Sequence, residues 1–211
     1  MAQQTPPAPP PPPSQAELAE VLEKHISYEL GRLIAQYKLL REPKYREALD
    51  KEDAENIDDA LIVSFCSHAR NLLEFLSQTE PTPGKKQPTK PKKPRRYARA
   101  VDYGTKPGYA PLERIDRVGD LYQQLCEQIN HLTYYRTDET SKKIDVAERN
   151  ELIEIIHDEF TRLAGELKHG LDKNYFLLDR FMEARLLVKV DANAPVGASS
   201  EVQVISSQIN A

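Results

Sequence analysis

Much of what familiar enzyme and metal sites require is missing from this sequence. Its two cysteines, Cys66 and Cys126, are too few and too far apart for a disulfide framework or a zinc site. Free thiols in a cytoplasmic protein are the expectation. No GxGxxG, P-loop or HExxH pattern occurs, so nucleotide cradling and zinc hydrolysis lack their usual parts. No cofactor and no metal is expected. The longest uncharged run in the foldable part, Ala60 to Ala69, is too short to span a bilayer, and no membrane partner is expected. Met1 to Pro13 has neither a basic start nor an apolar stretch and does not read as a secretory signal. Asn-Gly and Asp-Gly hairpin dipeptides are absent, no strand pairs stand out, and no internal repeat occurs. Apolar residues make up 39%, below the roughly 45–50% of an average globular domain, so part of the chain lies outside any core.

What is present is unevenly distributed. Seven of the 16 prolines fall between Pro6 and Pro13, a segment suited to polyproline II but not to a core. From Pro81 to Arg99 the chain carries five prolines and eight cations, with no acid. The cations are Lys85, Lys86, Lys90, Lys92, Lys93, Arg95, Arg96 and Arg99. The whole chain has a net charge of −4. Without those eight cations, 21 basic residues face 33 acidic ones, leaving −12. An acidic body thus bears one basic segment.

Helical periodicity fills the body. Ser14-Gln15-Ala16-Glu17 fits a capping box. Behind it Leu18, Leu22, Ile26, Leu30, Leu33, Tyr37 and Leu40 recur at steps of three or four, a stripe that Pro43 ends. A second helix is predicted from about Asp53 to Gln78, with Ile57, Leu61, Phe65, Leu72 and Leu76 on one side and a narrow polar strip opposite. So wide an apolar arc predicts a central helix. A third starts near Pro111, with Val118, Tyr122, Leu125 and Ile129 in its stripe. A fourth covers about Asp145 to Lys168, with Leu152, Ile156, Phe160, Leu163 and Leu167. A fifth, shorter helix covers Lys173 to Val188. The expected fold is all-α, a four- to five-helix bundle over 14–188, with a long basic proline-rich insertion at 81–110 read as a flexible loop. A disordered proline-rich head (1–13) and a flexible polar tail (189–211) flank it.

Candidate site residues fall in two polar strings. In His68-Ala69-Arg70-Asn71, one helix sets His68 and Arg70 about 200° apart, on opposite borders of the apolar arc. The plain reading is a hydrogen-bonded boundary histidine and an ion-paired or snorkelling arginine. In Asn130-His131-Leu132-Thr133-Tyr134-Tyr135-Arg136, Arg136 falls on the apolar stripe and needs a buried partner or marks the helix end. His131 suits a helix C-terminus. The acids from Glu148 to Glu154 and His157-Asp158-Glu159 read as a solvated helix face. Cys66 and Cys126 lie on or beside apolar stripes and read as small buried hydrophobes.

The strings HARNLLEFL (68–76) and INHLTYYR (129–136) resemble a pattern of uncharacterised bacterial helical proteins over roughly 53–167. That resemblance implies a compact helical domain and no mechanism. A Trp often follows the second string in that pattern; this chain has none. A broader resemblance is to the HEPN superfamily, whose helical bundles include ribonucleases, toxins and defence components. It implies an Arg and a His on one helix with four to six residues between them, and a dimer that builds a metal-independent ribonuclease site. Arg162 and His169 have that spacing and would share a face.

Function is therefore expected to lie in contacts. The eight cations from Lys85 to Arg99 suit RNA or DNA phosphates, and Tyr97, Tyr103 and Tyr109 could stack on bases. Alternatively the segment is a soluble extended linker, or lies on its own acidic body. A protein partner or homodimer would use the proline head or the wide apolar arc. The alternatives are a HEPN-like ribonuclease or toxin, and a purely structural subunit.

Overall fold

The computed structural model describes residues 12–42, 44–77, 98–104, 118–129 and 144–184. The described part is all-α, 83% helical and without strands. Its helices are α1 (Gln15–Val21), α2 (Ser27–Arg41), α3 (Lys51–Ser77), α4 (Val118–Ile129) and α5 (Val146–Gly165), followed by a short α6 at 178–184. Residues 1–11, 81–97, 105–117 and 185–211, which include most of the head, the basic segment, the start near Pro111 and the tail, lie outside the described residues.

The first rod starts where expected. The Ser14 side chain accepts from the Glu17 amide, and Glu17 accepts from the Ser14 amide at 2.7 Å, closing the capping box. Leu18, Leu22, Ile26, Leu30, Leu33 and Tyr37 are all buried, and Ile34 joins them. Sequence periodicity did not reveal a π-helical turn at Leu22–Ile26 between α1 and α2. Such turns insert a residue into the ladder and shift the register of the helix beyond them.

Antiparallel pairing of α2 and α3 is evident from the contact ladder: Glu29 meets His68, Gln36 meets Ser64, and Tyr45 meets Asp58. Tyr37 donates to Asn150 at 2.7 Å, and Phe75 stacks on Phe160 at 5.9 Å, so α5 runs alongside α3 in the same sense. With α2, α4 and α5 all against it, α3 is the central helix that its wide apolar arc predicts. It begins two residues earlier than expected, because Asp50 accepts from the Asp53 amide as its cap.

Three expectations are corrected. The polar residues of α5 are not one solvated face: Glu148, His157 and Glu159 are buried, Glu159 to 3% exposure. Glu151 and Glu154 are half-buried, and Asp158 alone of the expected set is exposed. Residues 173–184 cover His157, where Phe181 packs on its ring at 5.8 Å. Nor is Lys173 onward one helix. A 3₁₀ turn, Lys173–Phe176, ends at Leu177 in the left-handed region (φ 51°), and α6 starts after it. Finally, α5 stops at Gly165 rather than near Lys168.

Part of the expected loop also belongs to the body. Residues 98–104 form a strap whose Ala100 and Tyr103 are buried in the core. Tyr103 sits edge-on to Phe75 at 5.5 Å, and its carbonyl accepts from the Lys168 amide at 2.9 Å. Tyr103 is therefore a core residue and not a surface base-stacking platform. Tyr97 and Tyr109 lie outside the described residues.

Candidate functional site

The opposite borders expected for His68 and Arg70 hold, and each has its own partner. His68 Nδ1 lies 2.6 Å from Glu29 Oε2 across the α2–α3 seam. Asn71 Nδ2 donates to both Glu29 oxygens at 3.4 Å. Tyr28 meets the His68 ring edge-on at 6.0 Å, and Arg32 lies over Tyr28 at 5.4 Å. A carboxylate on Nδ1 fixes the orientation of the ring. The HARN string pointed to His68 but not to Glu29 and Tyr28, which lie some 40 positions upstream and meet it only through the helix pairing.

On the other border, Arg70 Nε lies 3.6 Å from Glu74 Oε1. Glu74 also accepts from the Tyr122 hydroxyl of α4 at 2.6 Å. That bond, and burial after it, holds the Tyr122 phenol above its ordinary pKa. Arg70, Glu74 and Tyr122 thus form an α3–α4 tie. His131 and Arg136 lie outside the described residues.

The HEPN-type pair does not share a helix. Arg162 lies in α5 and donates twice to Glu159 Oε2, at 3.1 and 3.0 Å. His169 lies past the end of α5, exposed, with its carbonyl accepting from Gln15. Gly170 comes next, at φ 85°, and a Cβ there would collide with the Gln15 amide. The spacing therefore places one residue on a helix and the other in a turn.

Of the eight cations in the basic run, Arg99 is the one within the described residues. It grips Asp102 with two donors, at 3.2 and 2.7 Å, and is part of the strap. Lys85, Lys86, Lys90, Lys92, Lys93, Arg95 and Arg96 lie outside the described residues.

Buried charge is concentrated at the start of α5. Arg149, 8% exposed, donates to the Ile144 carbonyl at 2.6 Å, and burial lowers its pKa. Cys66 is buried nearby, and its thiol is pushed up to about 12 by burial, a rise that the Arg149 charge reduces. A thiol so held is not a nucleophile at neutral pH. Cys126 is half-buried.

Elsewhere, the described residues line three cavities of note. One of about 400 Å³ sits at the foot of α3 between Arg46, Lys51, Glu55 and Asp58. One of about 460 Å³ lies between the end of α3 and the start of α4, against Leu73, Val118 and Tyr122. The third, about 330 Å³, opens between α1 and the strap, against Glu20, His25, Ala98 and Tyr103. Among the described residues no group of three His, Cys, Asp or Glu could hold a metal, and no helix is long and apolar enough to cross a membrane.

Fold and side-chain geometry together define an all-α protein whose described polar groups are mostly engaged with one another. Comparison with known families, curated proteins and solved structures finds no match.

Proposed function

We propose that this chain is a non-enzymatic bacterial, cytoplasmic helical protein that binds single-stranded nucleic acid through Lys85 to Arg96. The observation that carries this reading is charge segregation. Eight cations and no acid fall between Pro81 and Arg99, against a remainder of −12. Arg99 is taken by Asp102, which leaves seven cations for phosphates. Cations in the described body are commonly paired in the same way: Lys38 with Glu183, Arg46 with Asp58, Arg162 with Glu159.

Fluorescence anisotropy with a labelled single-stranded RNA tests the reading. Affinity should fall steeply between 50 and 200 mM salt, with a log–log slope of roughly −5 if all seven cations engage. Replacing the seven by Gln should abolish binding and the salt slope. Unchanged binding in that variant removes the nucleic-acid reading. RNA cleaved during the assay, and spared by Arg162→Ala, would instead favour a HEPN-like ribonuclease.

A second reading rests on exposed apolar residues. Tyr28 and Leu39 on α2 and Ile57 on α3 are each more than a third exposed. They suit a homodimer or a structural subunit. A mass measurement across protein concentration separates monomer from dimer.

A further inference from the structure

Tyr28 is the one described tyrosine that folding leaves more than half outside, at 53% exposure. Tyr37 and Tyr103 are buried, and Tyr45, Tyr122 and Tyr175 are half-buried. Tyr28 is nonetheless held in place. The His68 ring meets it edge-on at 6.0 Å, and His68 is itself anchored by Glu29 at 2.6 Å. One turn further along α2, the Arg32 guanidinium lies over the Tyr28 ring at 5.4 Å. An aromatic surface left in water forgoes the free energy of burial. Contacts that fix such a ring also lower the ordering cost of a later binding event.

Charge decides what this surface suits. Arg32 is exposed and forms no ion pair among the described residues. Lys38, Arg46, Arg99 and Arg162, by contrast, each hold a carboxylate. Glu29, the acid between Tyr28 and Arg32 in sequence, gives its oxygens to His68 and Asn71. The Arg32 charge is therefore open to a partner from solvent, beside an exposed aromatic ring. Both residues lie on the side of α2 opposite buried Leu30, Leu33 and Tyr37. A planar aromatic ligand carrying an anion satisfies ring and charge together, and a nucleotide has both parts. An apolar partner, or a second copy laid on this face, would bury the Arg32 charge without a counter-charge.

We propose that Tyr28 and Arg32 form a nucleotide platform, on which one nucleobase of a single strand stacks on Tyr28 and its phosphate pairs with Arg32. This rests on the nucleic-acid reading and adds to it a second point of contact, on the folded body.

Fluorescence anisotropy of the full chain with labelled oligo(A) tests the platform. Tyr28→Ala should weaken binding by roughly 5- to 150-fold, the loss of one stacked base, and leave the salt slope unchanged. Tyr28→Phe keeps the ring and should bind like wild type. Arg32→Gln should weaken binding and flatten the log–log salt slope by about 0.7, one phosphate contact on a single strand. Both positions are exposed, so circular dichroism should be the same in all three variants. Two-dimensional NMR on the chain with Lys85, Lys86, Lys90, Lys92, Lys93, Arg95 and Arg96 all changed to Gln separates the platform from the basic segment. Titrating that variant with AMP should still give saturable shifts at Tyr28 and Arg32, and ribose 5-phosphate should not reproduce the Tyr28 shift. If oligo(A) binds that variant as well as wild type while Tyr28→Ala loses binding, the segment reading falls and the platform stands. If Tyr28→Ala and Arg32→Gln bind oligo(A) like wild type while the seven-Gln variant does not, the platform falls and the segment reading stands. Absence of AMP shifts, or equal Tyr28 shifts from ribose 5-phosphate, overturns the proposal. So does a dimer in solution that Tyr28→Ala converts to monomer, which would assign the ring to a self-interface.

Discussion

The Cys66 thiol lies in the core within the field of Arg149, and the two influences oppose each other. Burial penalises the thiolate; the guanidinium favours it. Burial wins, moving the thiol from 9.0 to about 12. The folded state therefore holds this proton more tightly than the unfolded one. That contribution is complete below pH 9 and is lost as pH rises from 9 to about 12. Cys66→Ala should flatten the alkaline limb of a stability–pH curve measured by urea unfolding. Native protein should also react with a thiol reagent at half-buried Cys126 first, and at Cys66 only after denaturation. Equal labelling rates at both in the native state would contradict the burial argument. That Cys66 is buried could be read from its place beside the α3 stripe. Its arginine neighbour could not, because Arg149 sits 83 positions away and reaches it only through the packing of α5 on α3.

At the scale of elements, the start of α5 carries a cap whose role exceeds capping. Asp145 accepts from the Glu148 amide at 2.8 Å, and Glu148 accepts from the Asp145 amide at 3.0 Å. The Asp145 charge also supports buried Arg149. Asp145→Ala removes both roles and should cost more than the typical ~1 kcal/mol of a lost cap. Asp145→Asn keeps an oxygen acceptor and loses the charge, so it should fall between Ala and wild type. Urea unfolding of the three proteins measures the split; an Asn variant as stable as wild type would show that the charge is idle. The Ser14 cap and the apolar stripes were legible in the sequence because caps and 3.6-residue spacing are local. The strap at 98–104 was not. It comes after a proline- and lysine-rich run whose composition reads as linker, and only Tyr103 meeting Phe75 turns it inward. The π turn was equally hidden, since the apolar residues keep their spacing through it. Nor could the burial of His157 be read from a helical wheel, because Phe181, which covers it, comes from another element.

Across the whole molecule, one aromatic cluster joins the parts that the sequence keeps apart. Phe160 of α5 stacks on Phe75 of α3 at 5.9 Å and meets Phe176 of the 3₁₀ turn at 5.1 Å. Phe75 in turn carries Tyr103 of the strap. All four side chains are buried, so the cluster links the central helix, α5, the strap and the C-terminal turn. Removing its middle ring leaves a cavity that surrounding helices can fill only in part. Phe160→Ala should cost about 3–5 kcal/mol. Against a typical stability of about 5–15 kcal/mol, this lowers the melting temperature by roughly 10 °C or more. Phe160→Leu keeps most of the volume and should lose far less. Helical circular dichroism and the tyrosine near-ultraviolet signal should fall together in each variant, because strap and helices share one core. A tyrosine signal that melts ahead of the helices would show instead that the strap detaches as a separate unit, opening the α1 cavity while the bundle stays folded.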